Sequence, residues 1–377
     1  MSYAVYSFHN ISVSLSIQDM KMKQELKEIK IDITPTSRLS QVDWNKLPFG
    51  QIFSDHMLVM DFKDGAWQEP EIVPFDSISL HPATSALHYG QSIFEGMKAY
   101  RQQDGNIALF RPEMNARRFM QSCERLCMPT MDEELFIELI KRLVEVDKEW
   151  VPRTEGSAMY LRPFIFATDE MIGIKPSDTY KFMIFTCPVG AYYSQPVRVK
   201  IEEQYTRAAS GGVGAAKTAG NYAASLYPAK QGQMQGFHQL VWTDAKEHKY
   251  IEESGTMNIC FVINDVLITP SEESDTILKG TTKRAVIDVA KSWGIKVEER
   301  KVAVAEIIEA AQNGLLQEAF GAGTAATIAN IEAIGYRDEI LNLPAFSEDM
   351  LSVRIKRELD GIKDGSIADQ NGWIVTI

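Results

Sequence analysis

The chain has 377 residues, 45% of them hydrophobic and 24% charged, with a formal net charge of -12 and a pI near 5.1. That length fits two domains with a large core. The acidic balance, without a Lys/Arg-rich patch interleaved with aromatics, argues against a nucleic-acid surface and leaves small molecules or a second copy of the chain as partners.

At the N-terminus, "MSYAVYSFHNISVSLSIQDMK" lacks the basic start and continuous apolar block of a signal peptide, and it is poor in arginine. No run approaches the ~18 apolar residues of a membrane span, so no membrane is expected among the partners. Residues 1–25 read as a flexible N-terminal extension, followed by a smaller N-terminal α/β domain over 26–193. Four cysteines, Cys123, Cys127, Cys187 and Cys260, are too few and too scattered for a disulfide framework or a paired CxxC zinc site, and no metal is expected. Cys123 and Cys127 lie one helical turn apart, on the face of Phe119 and Met120, as core thiols in a reducing, cytoplasmic setting.

Further along, "TMDEELFIELIKRLVEVDKEWVP" repeats apolar residues at helical spacing. Thr130 and Glu133 predict a capping box, and Pro152 predicts the stop. Strands follow in "SAMYLRPFIFAT" and "KFMIFTCPVG". Glycine, proline and polar residues in "AYYSQPVRVKIEE" then predict an interdomain linker over 194–206, with a larger C-terminal domain over 207–377.

That second half opens with "SGGVGAAKTAGNY", in which one lysine, Lys217, stands among residues with almost no side chains. Gly211 to Thr218 misses the phosphate-cradling P-loop pattern by one residue, Ala216 standing where the second glycine belongs. The flanks do not support a P-loop: "VRVKIEEQYTRAAS" upstream is polar, and "AGNYAASLYPAKQGQ" downstream is interrupted by Gly220 and ended by Pro228. The other reading is a lysine that reacts with a carbonyl, since burial favours the neutral, nucleophilic amine.

Beyond it, "NICFVINDVLITP" reads as a hairpin turning at Asn264 and Asp265. "ILKGTTKRAVIDVAKSWG" passes from a glycine turn into a helix with Val286, Val289, Ala290 and Trp293 on one face and Gly294 as the stop. Exposed N–H groups at Gly280, Thr281 and Thr282 make that helix start an anion site. Small residues around Thr324 in "EAFGAGTAATIANIEAIGY" let backbone approach a ligand closely. A lysine, then a carboxylate in "IEESGTMN", then a phosphate-type helix start and a small-residue loop are together what a pyridoxal-phosphate site requires.

With the blocks "FGQIFSDHML", "LHYGQSIFEGMKAY", "LFRPEMNARRF", "RLVEVDKEWVP", "YLRPFIFAT", "CPVGAYY", "GVGAAKTAGNY", "EESGTMN", "ILKGTTKR" and "FGAGTAA" in that order, the chain resembles the branched-chain amino acid aminotransferases. These are fold type IV enzymes with two α/β (α+β) domains and pyridoxal 5'-phosphate between them. The resemblance runs from about Ile31 onward. It implies ping-pong transfer of the amino group of leucine, isoleucine or valine to 2-oxoglutarate, by a homodimer. D-amino acid aminotransferase and 4-amino-4-deoxychorismate lyase share the fold, but "FEGMKAY" and "GVGAAKTAGNY" favour the branched-chain type. From a different class, a P-loop nucleotide-binding protein is the alternative, with a non-catalytic dimeric scaffold behind it.

By that resemblance Lys217 is the catalytic, Schiff-base lysine, Glu253 the partner of the pyridine nitrogen and Tyr222 the neighbour of the phenolic oxygen. Arg118, Gly280, Thr281, Thr282 and Thr324 would hold the phosphate, with Leu278 against the ring. The family's N-x-x-R register, counted from Asn115, selects Arg118 over Arg117, because an i, i+3 pair shares one helix face. The substrate carboxylate would meet N–H groups of Ala325 and Ala326 with the Thr256 hydroxyl. Its side chain would sit among Phe49, Phe94, Tyr160 and Met257, with Tyr89, Ile172 and Ile174 reaching in from a neighbouring subunit. Arg162 resembles the residue that takes the second carboxylate of the dicarboxylic substrate, a place where a structural salt bridge is the alternative. Where mammalian members carry a CxxC pair after the glycine turn, this chain has Ala326 and Ala329, which excludes a thiol switch there.

Overall fold

The computed structural model describes residues 29–190 and 195–377, so the extension expected at 1–25 lies outside the described residues. Two sheets organise the chain, and the reason is visible in the side-chain alternation. In Met257–Ile263, Ile259 and Phe261 face one apolar cluster while Cys260 and Val262 face another, so a strand buried on both faces reads as a continuous apolar run.

In the first sheet the strand order is Lys30–Ile31, Glu71–Pro74, His56–Lys63, Tyr180–Val189, Ala158–Ala167, Met97–Arg101, Ile107–Phe110 and Ile374–Thr376. Ser92–Phe94 adds to Ala158–Ala167 at its far end. Helices Pro112–Arg125 and Glu133–Val146 cover one face, where Phe119, Phe136 and Phe182 meet at ring separations of 4.9 to 6.1 Å. In the second sheet Met257–Ile263 pairs on one side with Leu316–Gly323 and on the other with Tyr250–Ser254. The path through Thr327–Tyr336, Val197–Ile201 and Gln239–Thr243 therefore closes into a ring of strands. Helices Thr281–Ser292 and Leu351–Asp364 pack outside it against Phe320, Ile328 and Trp373.

Several local expectations change. Val197–Ile201 is no linker: it lies between two parallel neighbours in the second sheet, with Val197, Val199 and Ile201 buried. The chain end returns to the first sheet, where Ile374–Thr376 pairs with Ile107–Phe110. The capping box does not form. The helix begins at Glu133 after Asp132, because the Thr130 carbonyl accepts the Trp67 indole N–H at 2.8 Å and keeps that segment extended on the sheet. It stops at Val146, ahead of Pro152, since the buried Asp147 carboxylate turns to the His56 backbone N–H and imidazole.

Cys127 is exposed, in contrast to the core thiol expected. The helix ends at Arg125 in a Schellman motif, with Cys127 at φ 54°, its N–H donating to Glu124 and that of Met128 to Cys123. The other three cysteines are buried, and all four are free. Helix Ala219–Met234 runs straight through Gly220 and Pro228. Asn221, Pro228 and Gly232 are its buried positions, and packing against Gln239–Thr243 outweighs the ~3 kcal/mol that a proline costs inside a helix. Among the described residues no helix is long and apolar enough to cross a membrane.

Candidate active site

Between the two sheets lies a cavity of about 520 Å³, and most of the residues singled out above line it. Lys217 enters from the loop before Ala219–Met234. Its backbone is fixed on both sides: the N–H donates to Ser122 Oγ at 3.0 Å, and the carbonyl accepts from Phe94 N at 3.0 Å. The next residue, Thr218, bridges to Ile93, which ties the loop to the first sheet. Small residues are required on this path, since a Cβ at Gly214 would collide with Ala208 and the Thr276 backbone. The side chain ends with Nζ donating to Tyr222 Oη at 2.7 Å, and Nζ stands 4.8 Å from the centre of the Phe94 ring. The strand that should lead straight into a P-loop ends at Ile201, so that alternative has no structural support.

Arg118 and Arg117 separate cleanly. Arg118 is buried and lines the cavity, whereas Arg117 is exposed and pairs with Glu133. The main partner of Arg118 is Glu95, a residue the sequence reading passed over. Arg118 Nε and Nη2 reach its two oxygens at 2.7 and 2.8 Å, and Asn115 Nδ2 adds a bond at 2.9 Å. Burial pushes the Glu95 carboxyl up, but the Arg118 charge and hydrogen bonds, with Lys217 and Asn115 behind them, more than offset this and hold it below the ordinary range. Nη1 of Arg118 donates to the Lys279 carbonyl. Three of the five guanidinium N–H donors are thus used, which leaves two for the cavity.

Across the cavity, Glu253 sits buried on Tyr250–Ser254, where Oε1 accepts the Leu278 N–H at 2.6 Å and Oε2 lies 3.3 Å from Arg207 Nε. Leu278 is held from behind as well, its carbonyl accepting Asn258 Nδ2 at 2.9 Å. Gly280 lines the cavity, yet its N–H donates to Glu272, so it is not a free anion donor. Only a glycine fits there, because a Cβ would strike Asn258 Oδ1. Thr281 and Thr282 begin the helix, and their N–H groups belong to the first turn that has no partner within the helix. Thr324 completes the set.

Of the residues expected at the substrate end, Phe49, Phe94, Tyr160, Arg162, Thr256, Met257 and Ala325 line the same cavity. Phe49 meets Tyr160 edge-on at 4.9 Å. Arg162 Nη2 donates to Tyr160 Oη at 3.0 Å, and its guanidinium lies over the Phe94 ring at 4.6 Å. Among the described residues no salt bridge to Arg162 is seen, and its buried Nε has no partner. Ala326 belongs to the turn beside Ala325 but is not itself a lining residue. Tyr89, Ile172 and Ile174 do not line the cavity, and Ile172 and Ile174 are 67% and 94% exposed. Glu95, Ser122, Asn258 and Arg207 are the functional neighbours that sequence reasoning missed. All but Ser122 fall inside quoted stretches, where their charge or amide was the available signal.

The chain matches the amino-transferase class IV family model over residues 92–334. It is 44% identical over 353 residues to branched-chain-amino-acid aminotransferase 2 of Bacillus subtilis (strain 168), covering 93% of this chain and 97% of that one. Solved structures are similar as well, two of them as follows. The branched-chain amino acid aminotransferase of Escherichia coli has a TM-score of 0.67 at 25% identity and covers 84% of this chain and 98% of its own. That of Thermobaculum terrenum in its PLP-form has a TM-score of 0.69 at 20% identity, a likeness of fold, and covers 86% and 99%. With its two α/β sheets and the cavity between them, the chain belongs to the branched-chain-amino-acid aminotransferases, fold type IV members of the class IV aminotransferase family.

Proposed function

We propose that this protein moves the amino group of leucine, isoleucine or valine to 2-oxoglutarate, reversibly, giving branched 2-oxo acids and glutamate with pyridoxal 5'-phosphate as cofactor. The observation that carries this reading is one cavity lined together by Lys217, Glu253 and a helix start bearing Thr281 and Thr282. The donor set fits the cofactor. An amine, a carboxylate held by Arg207 and Leu278, and a first-turn N–H cluster with two spare Arg118 donors match a carbonyl, a ring nitrogen and a phosphate. When bound, pyridoxal phosphate supplies an electrophilic carbonyl for the amino group and a ring that spreads negative charge.

The residues then divide the work. Lys217 Nζ, oriented by Tyr222 Oη, is placed to take the proton from the substrate Cα and would deliver it to the former carbonyl carbon of the cofactor, across the nitrogen. Tyr222 holds Nζ, Leu278 would pack on the ring, and Arg118, Thr281, Thr282 and Thr324 would hold the phosphate. Phe49, Phe94, Tyr160 and Met257 exclude water around a branched side chain. Arg162, with a buried unpaired Nε, takes the second carboxylate of 2-oxoglutarate or glutamate. A panel of amino donors with 2-oxoglutarate as acceptor tests the assignment. Leucine, isoleucine and valine are expected to lead, and preference for a D-amino acid would overturn it.

Glu253→Gln is expected to keep bound cofactor but slow turnover by roughly 10²-fold, the scale of losing one electrostatic group in a water-excluded site. Parental turnover with the Gln variant would remove Glu253 from the ring.

The active unit is a homodimer in this proposal, and the protein works in the cytoplasm, in keeping with four free thiols. Exposed Leu87, Tyr89, Ile172 and Ile174 form the kind of apolar surface that two-fold pairing buries, and Tyr89, Ile172 and Ile174 then complete the partner's side-chain pocket. Ile174→Asp is expected to lose branched-chain turnover. Mixed with Lys217→Ala it should regain activity, because a heterodimer contains one pocket free of both changes. No recovery despite demonstrated subunit exchange would refute the shared pocket.

A further inference from the structure

The hairpin joining Leu316–Gly323 to Thr327–Tyr336 closes through a three-residue loop, with Gly323 and Thr327 paired across its base. Thr327 adopts φ 61°, a conformation that a β-branched residue enters only under constraint. Beside this turn stand two lysines from other elements. Lys98, on strand Met97–Arg101, donates to the Ala325 carbonyl at 2.7 Å. Lys363, buried on helix Leu351–Asp364, donates to Thr327 Oγ1 at 3.1 Å and to Asp360 at 3.2 Å. Both lysines line a small cavity that shares Thr281, Thr282 and Thr324 with the main one.

The Ala325 carbonyl and the Ala326 N–H belong to one planar, trans peptide unit, so they point in opposite directions. A carbonyl drawn toward Lys98 therefore turns the Ala326 N–H away from Lys98, which does not line the active-site cavity, whereas Ala325 does. We infer that Lys98 is a positioning residue: through the Ala325–Ala326 peptide it aims a backbone donor at the α-carboxylate of the amino acid, while Lys363 secures the strained end of the same turn. This rests on the proposed reading of the pocket. Burial, helped by the charge of Lys363, lowers Lys98 to about 7. An amine keeps an N–H for Ala325 in either protonation state, so the latch does not depend on that titration.

Lys98→Met, which keeps length and removes the donor, tests the inference in the holoenzyme. Three quantities are compared with the parent: binding of 4-methylpentanoate, read from the cofactor absorbance band; KM and kcat for leucine; and reaction with isopentylamine, a donor without a carboxylate. A hydrogen bond to a charged group sets the expected loss at ~10- to 100-fold in carboxylate affinity and in KM, with kcat, cofactor retention and the amine reaction within about threefold. Equal carboxylate binding by variant and parent would overturn the role of Lys98. So would a variant that loses carboxylate and amine reactivity alike, which is general damage. A parent whose band does not respond to 4-methylpentanoate would overturn the pocket reading itself and the inference with it. Should the Met variant not fold, Lys98→Gln replaces it: its amide falls one atom short of Ala325, and the same selective loss is expected.

Discussion

Lys217→Ala is expected to abolish transamination and leave the fold intact. Both halves of that result follow from the surroundings of the residue. The backbone bonds that seat the loop, Lys217 N–H to Ser122 Oγ and Phe94 N–H to the Lys217 carbonyl, survive in alanine. The side chain makes its hydrogen bond to Tyr222 Oη, inside the cavity, so its removal takes no support from the core. Chemistry loses far more. General base catalysis alone contributes roughly 10²- to 10⁴-fold, and the amine that engages the cofactor carbonyl disappears as well. Steady-state turnover of leucine with 2-oxoglutarate, beside a thermal melt, reads both. A residual rate within about tenfold of the parent would remove Lys217 from the centre of the mechanism.

Arg118→Ala should be the most damaging change that leaves Lys217 in place. Glu95 is fully buried, and Arg118 supplies two of its charge-assisted bonds. Removing one partner of such a pair strands the other charge, at a cost of about 3–5 kcal/mol. In the proposed reading the cofactor phosphate would also lose its arginine. The expected outcome is a lowered melting temperature together with cofactor loss on dialysis. Arg117→Ala, which breaks an exposed 3.5 Å pair with Glu133, is expected to stay within about 0.5 kcal/mol and to keep its cofactor. Equal losses in the two variants would mean that the phosphate is held elsewhere.

The same pair marks how far the sequence could be read. The family's N-x-x-R register, counted from Asn115, pointed to Arg118 because an i, i+3 pair shares a helix face, and Asn115 and Arg118 do converge on one acceptor. The acceptor they converge on, Glu95, comes from a loop in another part of the chain, and no local pattern reports a contact of that kind. Strands Ala158–Ala167 and Tyr180–Val189, the helix Thr281–Ser292 and the hairpin at Asn264 and Asp265, with φ of 49° and 62°, carried strong local signals. Misreadings arose where tertiary packing overrode such signals. Pro228 is kept helical by its buried face, and the alternation Val197, Val199, Ile201 was obscured by Arg198 and Lys200 on the other side. Thr327 illustrates the remaining gap, since nothing local to a β-branched residue announces a left-handed backbone held by a lysine 36 positions away.

One measurement bears on the central claim most directly: borohydride reduction of the purified protein, followed by mass mapping of the peptide that carries the pyridoxyl group. The visible cofactor band should disappear on reduction, and the added mass should sit on Lys217 alone, with branched-chain turnover lost in step. A protein without that band, or a pyridoxyl group mapped to Lys98, Lys363 or any lysine other than Lys217, would contradict the account.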